Sequence, residues 1–132
     1  MSGVEEYLVA EPVTITADAD VYAAVHLILS NQVSGIVVVD HNDMLIGMLS
    51  ELDCLSAMVT SVYNGGEPGG ALVGDIMIKN VVVNRSDEDI LEVASSMLND
   101  SHRRRPVLDE QGRLTGQITC RQILKAITKY TE

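Results

Sequence analysis

The chain has 132 residues, enough for one compact module or two half-size units that share a core. Hydrophobic residues make up 46% of it with no Phe or Trp, so the interior must be built from Val, Ile, Leu, Met and Ala. Nineteen acidic against nine basic residues give a formal net charge of −10, a field that repels nucleic-acid backbones and anionic membranes alike.

No run of about eighteen apolar residues is present, and Met1–Glu6 lacks the basic head and apolar stretch of a secretion signal. The expected setting is cytoplasmic, with neither a membrane nor a nucleic acid as partner. Cys54 and Cys120 lie far apart with no C-x-x-C pattern, so two reduced thiols are expected and not a zinc or dithiol site.

Val13–Thr16 reads as a short strand. Asp20 then precedes Val21, Ala24, Val25, Ile28 and Leu29, the i, i+3, i+4, i+7, i+8 spacing of a helix with one apolar face. The β-branched run Ile36–Val39, the turn residues Asp40-His41-Asn42-Asp43 and the segment Met44–Leu49 predict a hairpin. Ser50-Glu51-Leu52-Asp53 resembles a capping box opening a second helix, with Leu52, Leu55, Ala57 or Met58, and Val59 as its apolar side. Between Tyr63 and Gly70, four glycines and one proline predict a flexible loop.

The pattern then begins again. An offset of 69 places Gly47 on Gly116, and without a gap Val13 on Val82, Asp18 on Asp87, Asp20 on Asp89, Asp40 on Asp109, Leu45 on Leu114 and Leu55 on Leu124. The second copy predicts a strand at Val81–Val83, a helix from Asp87, strands at Pro106–Leu108 and Leu114–Ile118 around the turn Asp109–Gly112, and a helix from Thr119. The fold class is therefore α/β (α+β), two β-α-β-β-α repeats packed with pseudo-twofold symmetry: 1–62 with the N-terminal segment, a Gly-rich linker at 63–72, and 73–132. Clefts between such copies are the expected binding places.

Residue chemistry narrows the candidates. A helix opening at Ser50 leaves first-turn N–H groups for an anionic or oxygen-rich ligand, and Asp53 one turn in suits the paired hydroxyls of a ribose. Alternatively, Ser50 and Asp53 cap the helix and do nothing else. Ser101-His102-Arg103-Arg104-Arg105-Pro106 concentrates three of the nine basic residues. Strand alternation sends Arg103 and Arg105 one way, His102 and Arg104 the other. These arginines either fork onto a phosphate or pair with acids of the chain, the second reading suiting Arg105 best. His26 and His41 read as surface residues, and no catalytic residue or metal ligand is assigned.

Several segments resemble a known family. Val73-Gly74-Asp75-Ile76-Met77 followed by Val81-Val82-Val83, Pro106-Val107-Leu108-Asp109 with Gly112 and Leu114-Thr115-Gly116, and Gly47-Met48-Leu49-Ser50-Glu51-Leu52-Asp53 are similar to a tandem pair of CBS domains, the Bateman module, over about residues 9 to 129. The resemblance implies two three-stranded sheets covered by helices, a homodimer, and non-enzymatic regulation of an attached or separate protein. Its ligand would be AMP, ADP, ATP, S-adenosylmethionine or NAD, with no cofactor required. It implies a ligand at Ser50, Asp53, Met48, Val81, Val82, His102 and Arg103. A second, weaker cleft would involve Val13, Ser34, Arg104, Thr119, Arg121 and Gln122, where Gln122 replaces the acid. The alternative is a ligand-free scaffold for dimerisation or partner docking.

Overall fold

Asp20, Ser50 and Asp89 supply oxygens to the first free N–H groups of three helices, and the computed structural model, which describes residues 3–10 and 12–131, starts a helix after each. In chain order a 3-10 turn at Val4–Glu6 leads to β1 (Val9–Ala10), β2 (Thr14–Thr16), α1 (Val21–Asn31), β3 (Gly35–Val39), β4 (Leu45–Ser50) and α2 (Glu51–Tyr63). Then come α3 (Val73–Ile76), β5 (Asn84–Arg85), α4 (Ile90–Asp100), β6 (Arg104–Leu108), β7 (Leu114–Thr119) and α5 (Cys120–Thr131).

The chain divides into two units: Val13–Val81, and the N-terminal segment through Pro12 together with the chain from Val82. In the first, β2 pairs in parallel with β3 and β3 antiparallel with β4. The sheet order is β2-β3-β4, and Ile36, Val38 and Leu49 pack with Val21, Ala24 and Ile28 of α1 and Cys54 of α2. In the second the order is β1-β7-β6-β5, with Val107 and Ile118 against Ile90, Val93 and Met97 of α4 and Ile123 and Ala126 of α5. Each fully buried Val or Ile contributes about 1.5–3 kcal/mol relative to exposure.

The repeat runs further in space than the sequence motifs alone show, because the lead-in segments also correspond. Val73 N–H donates to Ala19 O at 2.8 Å and Val4 N–H to Glu88 O at 2.9 Å, positions related by the same offset of 69. The segment at 72–79 completes the unit built on Val13 onward, and the segment at 3–10 completes the unit built on Val82 onward. The spatial units therefore follow a different partition from 1–62, 63–72 and 73–132. A fourth strand, β1, joins what was expected to be a three-stranded sheet.

Four other expectations are corrected. Val81–Val83 form no strand, since parallel pairing with β6 starts only at Asn84, opposite Val107. The helix expected from Asp87 begins after Asp89, whose Oδ2 accepts from Leu91 and Glu92 N–H. The Gly-rich loop is anchored at its far end: Gly69 is buried where a Cβ would lie 2.3 Å from the Tyr22 ring, and Val21 N–H donates to Ala71 O at 2.9 Å. On α2 Ala57 and Met58 face inward as expected and are joined by Cys54, whereas Leu52 (74% exposed), Leu55 (58%) and Val59 face outward.

Candidate functional site

In the unit Val13–Val81, β4 runs directly into α2, and Ser50 at the junction is its N-cap. Asp53 N–H donates to Ser50 Oγ at 3.0 Å and Ser50 N–H returns a bond to Asp53 Oδ2 at 2.9 Å. The predicted capping box is thus present. Glu51 N–H is also taken, donating to Ser34 O at 2.9 Å. This corrects the expectation of an open row of first-turn donors. Two of the three N–H groups are spent inside the protein, and Leu52 N–H is the one without a protein partner among the described residues.

Asp53 keeps one resource. Its Oδ1 has no hydrogen-bond partner among the described residues, and the half-buried side chain lines a hollow of about 350 Å³ with Ser56, Ala57, Thr60, Ser61, Ala71 and Ile76. Residues 53, 56, 57, 60 and 61 are one face of α2 at i, i+3, i+4, i+7 and i+8. Ser56, Thr60 and Ser61 carry the same helical spacing in the sequence, a signal that an apolar-face pattern passes over because it is written in hydroxyls. The negative charge of Asp53 also reaches its neighbour: burial first, and Asp53 second, push the Cys54 thiol pKa up.

The other predicted residues of this unit are Met48 within β4, Val13 and Ser34 just before β2 and β3, and Val81 at the unit's last position. Met48, opposite Val37, exchanges main-chain bonds with Ile78 at 2.9 and 2.8 Å. Val13 O accepts from Val37 N–H at 3.1 Å, Ser34 is exposed, and Val81 is half-buried.

The unit from Val82 repeats this junction with altered chemistry. Gln122 N–H donates to Thr119 Oγ1 at 3.2 Å and Cys120 N–H to Arg103 O at 3.0 Å, the counterparts of the Asp53 and Glu51 bonds. The amide of Gln122 makes no return bond to Thr119 N–H. Val82, Arg103 and Arg121 are exposed. Arg104, half-buried, pairs with Thr119 across the sheet. Arg121 lies with Leu124, Lys125, Thr128 and Lys129 along an open groove of about 620 Å³ on α5.

Arg105 points into the core and pairs with Asp100 at 2.9 Å, as expected of it. The predicted alternation fails at His102, which touches Arg105 and does not oppose it: Arg105 Nε donates to His102 Nδ1 at 3.0 Å. The cause is Ser101, a left-handed residue (φ 56°) ending α4, which turns the chain before the strand begins at Arg104. Among the described residues no group of three or more His, Cys, Asp or Glu is placed to hold a metal, and no helix is long and apolar enough to cross a membrane.

Known proteins share this architecture. An inosine-5'-monophosphate dehydrogenase of Methanocaldococcus jannaschii is 30% identical over 121 residues, covering 92% of this chain but 23% of that enzyme. The first three curated relatives are matched over 23%, 42% and 46% of their lengths, so the chain spans less than half of each. Among solved structures, CBSX2 of Arabidopsis thaliana in complex with AMP superposes with a TM-score of 0.87 at 23% identity, covering 100% of both chains. The CBS domain pair of MJ0100, in complex with 5'-methylthioadenosine and S-adenosyl-L-methionine, gives 0.79 at 20% identity over 98% of each chain. The CBS domain itself matches residues 4–60 and again 73–129, two ranges separated by the offset of 69 that also relates the paired glycines. By that double match the chain belongs to the CBS domain family and is a tandem CBS pair.

Proposed function

We propose that this CBS pair is a non-enzymatic regulatory module that binds an adenosyl ligand and controls a separate partner protein. The observation that carries the proposal is Asp53. Its Oδ2 is spent on the helix cap, while Oδ1 remains for the adjacent hydroxyls of a ribose in a hydroxyl-lined hollow. Ser50 sets the carboxylate by its reciprocal bond, and Met48 and Val81 offer apolar contact for a base. The unit from Val82 offers its own set: Val82 for a base, with His102 and Arg103 for an anionic group. Of the weaker set, Val13 and Ser34 belong to the first unit and Arg104, Thr119, Arg121 and Gln122 to the second, where position 122 lacks an acid. Ligands solved with relatives, AMP on CBSX2 and S-adenosyl-L-methionine on the MJ0100 pair, support the chemical class.

Regulation follows if the ligand binds one conformation better than another, since equal affinity shifts nothing. The exposed apolar residues of α2 support a homodimer, and two free thiols fit a reducing compartment such as the cytoplasm. Calorimetry with AMP, ADP, ATP, S-adenosylmethionine and NAD tests the reading. Saturable binding of at least one is expected, weakened at least tenfold in Asp53→Asn by loss of a charge-assisted bond. Absence of binding by all five, or full affinity in Asp53→Asn, overturns it.

A further inference from the structure

Arg105 is the bulkiest fully buried side chain among the described residues, 1% exposed. Four of its five N–H donors are used: Nε to His102 Nδ1 at 3.0 Å, Nη1 to Ser96 Oγ at 2.9 Å, Nη2 to Ser96 O at 3.2 Å and to Asp100 Oδ2 at 2.9 Å. Burying a charge is costly, and a buried ion pair can often be replaced by apolar side chains at no loss of stability.

The other copy carries that replacement. The offset of 69 puts Ile36 in the place of Arg105, Val33 at His102, Leu27 at Ser96 and Asn31 at Asp100. Ile36 is buried, and it opposes Leu49 as Arg105 opposes Ile118. The strand therefore forms in the same register with no charge at this place, and the four positions differ together. The fold does not require the network, so its presence in one copy needs another reason.

What the network fixes is the imidazole. Because Nδ1 accepts from Arg105, the ring proton must reside on Nε2. Nε2 has no protein partner among the described residues, and His102 is half-buried next to the exposed Arg103. We propose that Arg105, braced by Ser96 and Asp100, is a positioning residue that holds His102 as its neutral Nε2–H tautomer, aimed at an anionic oxygen of the bound ligand. This rests on the adenosyl-ligand reading above and deepens it: His102 supplies direction and a single hydrogen bond, and Arg103 supplies charge.

The test combines two readouts on wild type, Arg105→Ile, His102→Ala and the double variant. Nitrogen-15 NMR of the imidazole reads the tautomer, and calorimetry reads the affinities for AMP, S-adenosylmethionine and adenosine. Expected are a single Nε2–H form in wild type, a mixture in Arg105→Ile, and loss of about fivefold in affinity for the anionic ligand, the scale of one hydrogen bond. Adenosine affinity stays unchanged, and the double variant binds no worse than His102→Ala. A loss confined to AMP identifies a phosphate as the anionic group, and one confined to S-adenosylmethionine a carboxylate. Asp100→Asn, at a half-exposed side chain, is the second variant should Arg105→Ile fold poorly, and it shifts both readouts in the same direction by less. If wild type binds AMP or S-adenosylmethionine and neither variant alters tautomer or affinity, the positioning role falls and the ligand reading stands. If wild type binds none of AMP, ADP, ATP, S-adenosylmethionine and NAD, the ligand reading falls and takes this inference with it.

Discussion

Ile78 and Met48 exchange both main-chain hydrogen bonds, and the same pairing recurs 69 residues away between Val9 and Gln117. The glycine before each sheet partner makes this possible. A Cβ on Gly47 would lie 2.9 Å from Ile78 O, and one on Gly116 2.7 Å from Val9 O. Gly116→Ala is expected to push the 4–10 segment off β7 and destabilise the protein by about 1–3 kcal/mol. Amide exchange at residues 8–10 should accelerate more than at β6. Unchanged stability together with unchanged exchange at that edge refutes the close-approach explanation.

These glycines show why so much of the fold was legible. A repeated Gly, a repeated Asp at each helix start and a repeated turn report local backbone geometry, which short sequence windows encode. Other features depend on what lies opposite. On α2 both the inward set Cys54, Ala57, Met58 and the outward set Leu52, Leu55, Val59 have helical spacing, and composition favours the outward one because it holds two leucines where the inward one holds a cysteine and an alanine. The run Val81–Val83 has β propensity but no neighbour to pair with. At the candidate site, Ser50 and Asp53 were legible as a cap, whereas the Arg105–His102 contact was not. It depends on the left-handed turn at Ser101, which no alternation rule contains.

The two helix starts make a second prediction. α2 has a reciprocal cap, whereas α5 has only the longer bond from Gln122 N–H to Thr119 Oγ1. Gln122→Asp places an acid where Asp53 stands in the first copy and closes the second box. It should add about 0.5 kcal/mol, read by urea denaturation, with help from the helix dipole. Calorimetry should also show a larger number of ligand equivalents bound, because the weaker set then has its acid. A variant no more stable than wild type contradicts the capping argument, and an unchanged stoichiometry contradicts the role given to the acid.

Cys54 and Cys120 should separate cleanly by chemistry. Cys54 is 3% exposed, and burial followed by the Asp53 charge raises its pKa, whereas Cys120 is exposed at the start of α5. With the folded pKa above the unfolded one, the stabilising effect is complete below the ordinary thiol range. It declines as pH rises through that range toward the folded value, because the unfolded chain ionises first. A thiol reagent at mildly alkaline pH should titrate one sulfur per chain quickly and the second only on unfolding. Cys54→Ala should flatten the alkaline decline in stability relative to wild type. Equal reaction rates, or an alkaline limb unaffected by the substitution, would contradict this account.

The outward stripe of α2 supports self-association. Leu52, Leu55, Val59 and Val62 are all exposed, whereas the corresponding α5 positions are Arg121, Leu124, Thr128 and Thr131. An apolar row of this kind costs solubility unless it is covered, and in α5 the neighbouring Lys125 and Lys129 add charge that the α2 face lacks. Sedimentation equilibrium is expected to give a dimer for wild type and a monomer for Leu55→Glu. Unfolding free energy per chain at low concentration should change by no more than about 0.5 kcal/mol, since the side chain is not part of the core. Leu124→Glu should weaken the dimer less, because its surroundings are already polar. A monomeric wild type at high concentration, or a Leu55→Glu protein that still dimerises, removes α2 as the contact.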